Sequence, residues 1–168
     1  VYQSERTLRM LRDRIDAVFR QIGQSYELIL VEDCGGDGSW AVMKELHRLH
    51  PEVKIVRLTR NFGQHNALIC GFSLARGEYV ITMDDDLQNP PSEVVKLWRH
   101  ARDHDKQVVY TYYATKKHAW WRNIGSSFTN ACADMLLSKP KGLYLSSFRC
   151  MSAFVAEQIL RYQGPFPY

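Results

Sequence analysis

"VKIVRLTRNFGQHNALICGFSLARGEYVITMDDDLQNPPSE", from Val53 to Glu93, decides the fold. An apolar run, "VKIVRL", gives way to a polar loop, "TRNFGQ". An apolar helical stretch, "HNALICGFSLAR", is stopped by Gly77, and a second strand-like run, "YVITM", ends in acids. The same order occurs upstream, where "YELILVED" reads as a strand, "CGGDGS" as a glycine-rich turn and Ser39 to about His50 as a helix. Downstream, Pro90 and Pro91 suit the first turn of a helix through about Ala101, and "QVVYTYY" reads as a further strand. Strands alternating with helices imply a mostly parallel sheet with helices on both faces. Ligands of such a sheet lie beyond the carboxyl ends of its strands.

Working outward, Leu8, Leu11, Ile15, Val18, Phe19 and Ile22 fall on one helical stripe behind a Ser4 cap, and Gly23 closes the helix. "VYQSE" stands directly before that helix, where an α/β domain normally has a strand, and Tyr168 falls inside a turn-like segment. Both ends therefore read as cut, with a central strand lacking. After Tyr113, "ATKKHAWWRNIGSSFTNACADMLLSKPKG" combines a basic entry with an aromatic and aliphatic stripe of Trp120, Trp121, Ile124, Phe128, Cys132 and Met135. Such a helix either packs on its own core or lies in a lipid headgroup layer. "SSFRCM" reads as a strand and "SAFVAEQILRY" as a closing helix.

A length of 168 residues with 45% hydrophobic side chains suits one globular domain. The formal charge of +4, from 22 basic and 18 acidic residues, is too mild to imply nucleic acid, while it permits an anionic ligand or an acidic membrane surface. Cys34, Cys70, Cys132 and Cys150 form no CxxC pair, which favours structural thiols in a reduced cytosolic compartment. No apolar stretch approaches the roughly 20 residues that span a bilayer.

The chemistry concentrates at the ends of the expected strands. Asp84, Asp85 and Asp86 would repel one another, and a hard divalent cation such as Mg²⁺ or Mn²⁺ offsets that charge through oxygen ligands. In an extended segment Asp84 and Asp86 share a side and Asp85 points away. The spacing alone is equally compatible with a solvated loop whose acids or amide cap the next helix. Glu32, Asp33 and Asp37 flank the glycine-rich turn, which is either an ordinary turn or a place for a base, ribose or anion. Arg60, Asn61, Gln64 and His65 belong to a third loop on the same rim. There Arg60 suits a diphosphate, and His65 is either a base or a cap or surface residue.

Together "VEDCGGDGSW", "RNFGQ" followed by "DDDLQNPP", and "SSFRCM" closely resemble the family-two inverting glycosyltransferases of GT-A fold, nearest the branch that moves a sugar from a nucleotide donor to a polyprenyl phosphate. The resemblance covers nearly the whole chain. It implies one catalytic domain over residues 1–168, truncated at both ends. Its fold would be an α/β, Rossmann-like, mostly parallel sheet with helices on both faces, lacking its first strand. It implies a Mg²⁺ or Mn²⁺ ion on Asp86 with Gln88, Asp84 beside it on the diphosphate or ribose, and Glu32, Asp33 and Arg60 on the nucleotide sugar. Arg149 matches the arginine of the family's FRL-type motif near donor and acceptor. Lys116, Lys117 and Arg122 are candidates for the acceptor phosphate. The partners implied are a nucleotide-sugar donor, a polyprenyl phosphate or a saccharide acceptor, and a membrane surface at its cytoplasmic face. A catalytically silent nucleotide-sugar-binding module is the alternative. Relatives often carry an Asp just before the FR pair, where this chain has Ser146 and Ser147. A phosphate acceptor, already ionised near neutral pH, fits the loss of that acid.

Overall fold

A computed structural model of the chain describes residues 1–111 and 146–162. Helix α1 (Leu8–Ile22) leads into strand β1 (Leu28–Glu32), helix α2 (Ser39–Leu49), strand β2 (Val53–Arg57), helix α3 (Gln64–Leu74), strand β3 (Tyr79–Thr82), helix α4 (Pro91–Asp103) and strand β4 (Val108–Tyr110). Strand β5 (Arg149–Ser152) and helix α5 (Ala153–Arg161) follow. The expected alternation is present, and "SSFRCM" does contribute a strand. The aromatic stripe from Trp120 to Met135 lies outside the described residues.

Local chemistry accounts for most of the boundaries. Gly23 closes α1 in the left-handed conformation, with φ of 64°, and Pro91 opens α4. Ser4 does not cap α1 through its side chain. Its hydroxyl donates to the Tyr2 carbonyl, and its own carbonyl accepts the N–H groups of Thr7 and Leu8 in a turn ahead of the helix. At the other end of the chain, the Ser152 hydroxyl does cap α5, accepting the Val155 N–H.

The sheet is in two pieces among the described residues. β1 and β2 run parallel, with Leu28 opposite Val53 and Glu32 opposite Arg57. β3, β5 and β4 form the second piece in that order, and β3 runs antiparallel to β5, with Thr82 opposite Arg149. The expectation of a mostly parallel sheet therefore holds for β1 and β2 and not for the β3–β5 pair. β5 follows β3 by way of residues far along the chain and enters from the opposite direction, so no right-handed crossover constrains it.

On the edge facing away from β2, β1 meets Val1. The Val1 amino group donates to the Val31 carbonyl at 2.7 Å, and the Asp33 N–H donates to the Val1 carbonyl at 3.0 Å. That alternation is the parallel pattern of a strand pair. Between this edge of β1 and β3 runs a cleft of about 870 Å³ lined by Ile15, Ile29, Leu30, Leu68, Val80 and Ile81 among others.

Both faces of each piece are covered. Leu8, Leu30, Val42, Met43, Leu46 and Val53 pack between α1, α2 and the first sheet. On β3 and β5, Ile81 and Cys150 turn toward α4, where Val94, Leu97 and Phe148 meet them. Their neighbours Val80 and Met151 turn the other way onto Phe72 of α3 and Ala156 of α5. This period-two alternation over apolar residues on both faces is what a sheet sandwiched between helices requires. Burial pushes the Cys150 thiol up to about 12, so it packs as a hydrophobe. Cys34 and Cys70 are half-buried free thiols.

Candidate functional site

The carboxyl ends of β1 and β3 and the start of β5 meet the loop between β2 and α3. Four sequence segments contribute, and hydrogen bonds tie them into one rim.

Glu32 closes β1 with 2% of its surface exposed. Its Oε1 accepts the Gly35 N–H at 2.7 Å and its Oε2 accepts Arg57 Nε at 2.9 Å. A buried carboxylate needs such partners, because leaving it bare in a low-dielectric interior is expensive. The glycine turn is satisfied in the same way. Gly38 donates to Glu5, and Asp37 accepts both the N–H and the hydroxyl of Ser39. The amide donors that open α2 thus meet the chain's own carboxylates. Gly35 is also sterically required, since a Cβ there would stand 2.7 Å from the backbone nitrogen of Gln3.

Asp33 reaches across to the next loop. Its two oxygens accept the N–H groups of Phe62 and Gly63 at 2.8 and 2.9 Å, and it is almost fully buried. Gly63 sits at φ of 86°, a conformation that side chains other than glycine resist, and there it presents its N–H to Asp33. The sequence "RNFGQ" thereby folds as a loop pinned at its centre. Arg60 stacks its guanidinium on the Phe62 ring at 4.8 Å and remains exposed. His65 is exposed on the first turn of α3.

The pinned loop delivers Gln64, the first residue of α3, to the end of β3. Gln64 Nε2 donates to Asp84 Oδ1 at 3.1 Å. From the residues before β5, the Ser147 hydroxyl donates to Asp84 Oδ2 at 2.7 Å, and the Ser147 carbonyl accepts the hydroxyl of buried Thr82 at 2.5 Å. Asp85 turns elsewhere, with Oδ2 at 3.8 Å from the Val1 amino group. Asp86 is exposed, and its Oδ1 accepts the Gln88 N–H at 3.0 Å across Leu87, which takes a left-handed φ of 64°. This short turn redirects the chain toward the proline-led α4.

The structure therefore brings Asp33, Gln64, Asp84 and Ser147 into a connected series, with Asp86 and Gln88 adjoining Asp84 in the chain. Arg149 lies beside Thr82 in the β3–β5 ladder at the same end. Glu32 belongs to the rim through Gly35 and Arg57. Lys116, Lys117 and Arg122 lie outside the described residues. Gln64 was legible only as part of "RNFGQ", and Ser147 only as an acid replaced. Nothing local signals that both converge on Asp84, because they stand 20 and 63 positions away from it.

Among the described residues no three His, Cys, Asp or Glu side chains gather into a metal-holding group. Asp86, Asp84 and the Gln88 amide supply oxygen donors. That set suits a hard cation such as Mg²⁺, which commonly takes one or two carboxylates and completes its shell with phosphate oxygens and water. Among the described residues no helix is long and apolar enough to cross a membrane.

The family model described as glycosyl transferase family 2 matches residues 2–157. The chain belongs to this family. Its α/β architecture, with β1 and β2 parallel and β5 antiparallel to β3, is accordingly that of the GT-A class. Among family 2 proteins the chain is 36% identical over 152 residues to undecaprenyl-phosphate 4-deoxy-4-formamido-L-arabinose transferase of Aeromonas hydrophila and, at the same identity, to that of Proteus mirabilis. It is 37% identical over 153 residues to the protein of that name from Pectobacterium carotovorum. Each match covers 90% of this chain and 45% of the relative, so the chain spans about half the length of the relatives it matches.

Proposed function

We propose that the full-length protein is an inverting glycosyltransferase that moves a sugar from a nucleoside-diphosphate sugar to a polyprenyl phosphate at the cytoplasmic face of a membrane. The observation that carries this reading is the composition of the rim around Asp84. The β5 side offers the hydroxyl of Ser147, which donates to Asp84. A hydroxyl acceptor needs a base to take its proton, whereas a phosphate acceptor arrives ionised near neutral pH. The similarity to transferases named for undecaprenyl phosphate supports the same acceptor class.

In this reading the nucleotide lies over the carboxyl end of β1, near Asp33 and Glu32, with Arg60 free to swing from Phe62 toward the diphosphate. Asp86, assisted by Gln88, would hold Mg²⁺ or Mn²⁺, with Asp84 on the diphosphate or ribose. When bound, such an ion supplies positive charge to a leaving nucleoside diphosphate. Arg149 adds a fixed cation near donor and acceptor. An acceptor oxygen attacks the anomeric carbon from the face opposite the diphosphate, and configuration inverts. Lys116, Lys117 and Arg122 are the proposed contacts of the acceptor phosphate.

The test is an acceptor competition. Full-length protein is supplied with a panel of nucleotide sugars and Mn²⁺, with either undecaprenyl phosphate or a saccharide acceptor, and lipid-linked product and released nucleoside diphosphate are measured. The expected outcome is sugar transfer to undecaprenyl phosphate. Transfer to saccharide hydroxyls alone would overturn the acceptor class. Nucleotide binding with no turnover on either acceptor would indicate a silent binding module.

A further inference from the structure

Asp84 is held from both sides by neutral donors that come from unrelated parts of the chain. Gln64 Nε2 reaches Oδ1 at 3.1 Å from the start of α3, and Ser147 Oγ reaches Oδ2 at 2.7 Å from the residues before β5. Each donor is itself fixed. Gln64 follows Gly63, whose N–H is bound by Asp33, and the Ser147 carbonyl is bound by the hydroxyl of Thr82, which is buried. Two donors on opposite oxygens leave a carboxylate one rotational setting, because turning it about its Cβ–Cγ bond breaks both bonds together. The donors carry no charge, so they orient Asp84 without neutralising it.

We propose that Gln64 and Ser147 are positioning residues that lock the Asp84 carboxylate in the orientation used at the donor site. The series Asp33, Gly63, Gln64, Asp84, Ser147 and Thr82 then also aligns the end of β1 with the end of β3, which share no strand pairing. A carboxylate in place of Gln64 would face Asp84 at hydrogen-bond distance and repel it. This inference rests on the reading of Asp84 and Asp86 as the metal and diphosphate end of the site.

The experiment measures binding of Mn²⁺, alone and with inorganic pyrophosphate, by calorimetry on the full-length protein, with thermal unfolding recorded for every variant. Asp86→Ala is the reference for the site itself and is expected to abolish binding of the pair. Gln64→Ala and Ser147→Ala are each expected to weaken it about fivefold, consistent with losing one hydrogen bond to a charged group at an exposed site. The double variant should lose about tenfold rather than the twenty-five of independent effects, because either loss already frees the same carboxylate. Ser147→Thr, which keeps the hydroxyl, should restore binding. Gln64→Glu, which keeps the shape and reverses the electrostatics, should bind more weakly than Gln64→Ala. Binding unaffected by Ser147→Ala and Gln64→Ala while Asp86→Ala abolishes it would overturn the positioning role and leave the site intact. Binding undiminished in Asp86→Ala would instead overturn the reading of the site. Independent effects multiplying to about twenty-fivefold, or Gln64→Glu matching wild type, would contradict a shared lock on Asp84.

Discussion

At the end of β1, Glu32 and Asp33 are buried, and all four of their carboxylate oxygens accept bonds from Gly35, Arg57, Phe62 and Gly63. At the end of β3, Asp84 and Asp85 are half-buried, Asp86 is exposed, and Asp84 is met by side chains rather than by backbone amides. Acids at equivalent places in the sheet thus divide their labour by burial. Buried carboxylates organise the loops around them, since their charge is tolerated only when the protein supplies donors. Exposed carboxylates keep coordination capacity for something that arrives.

If that division holds, the largest stability effect lies with Asp33. Asp33→Ala strands the Phe62 and Gly63 N–H groups under the loop, and we expect a loss of about 2–4 kcal/mol from two charge-assisted hydrogen bonds. Chemical denaturation at neutral pH measures it. Asp33→Asn should recover part of the loss, because the amide oxygen still accepts. A stability unchanged by Asp33→Ala would break the comparison at its buried end.

A smaller effect is expected at Arg57. Arg57→Ala leaves Glu32 buried with only the Gly35 N–H. Removing one member of a buried pair is costly, but Arg57 itself is nearly half exposed, so we expect about 1–2 kcal/mol. Combining it with Glu32→Gln should return most of that loss, because a neutral amide tolerates burial and its oxygen keeps the Gly35 bond. The two single variants and the double variant form a thermodynamic cycle that sharpens the assignment of Glu32 as an organiser.

Smaller still is the dependence on acid. Burial raises Glu52, but its hydrogen bond and charge contact with Arg12 outweigh this and hold it below the ordinary glutamate value. Burial likewise raises Glu27, while bonds from Lys54 and the backbone of Arg76 bring it below. A depressed folded-state value contributes stability that is fully present above the unfolded value, about pH 4.3, and is lost as pH falls through the folded one. Urea midpoints measured downward from pH 7 should therefore decline below about pH 5, and Glu52→Gln should flatten the decline. The smallest effect is on the surface: Arg9→Ala removes an exposed pair with Glu45 and should change stability by less than about 0.5 kcal/mol.

Much of the fold was legible because it is written in local periodicity. The apolar alternation of "YVITM" and the stripe of α1 need only neighbours a few residues away, and Gly23 and Pro91 mark boundaries by their own backbone preferences. The direction of β5 was not legible, because a short run such as "SSFRCM" carries no information about which way it enters a sheet. The site was legible as a set of loop ends. Its wiring was not, since the bonds from Gln64 and Ser147 to Asp84 join segments whose proximity only the folded chain creates. Asp33 was read as a nucleotide contact from resemblance, and the geometry adds a second task, that of holding Gly63.

In the proposed function, half-buried Asp84 and exposed Asp86 at the end of β3 are the working end of the sugar-transfer site. Transfer to undecaprenyl phosphate by the full-length protein, compared between wild type and Asp86→Ala at matched thermal stability, tests it most directly. A loss of at least about a hundredfold with folding unchanged is expected, the scale seen when a key electrostatic group is removed from a reacting site. Undiminished transfer by Asp86→Ala would contradict it.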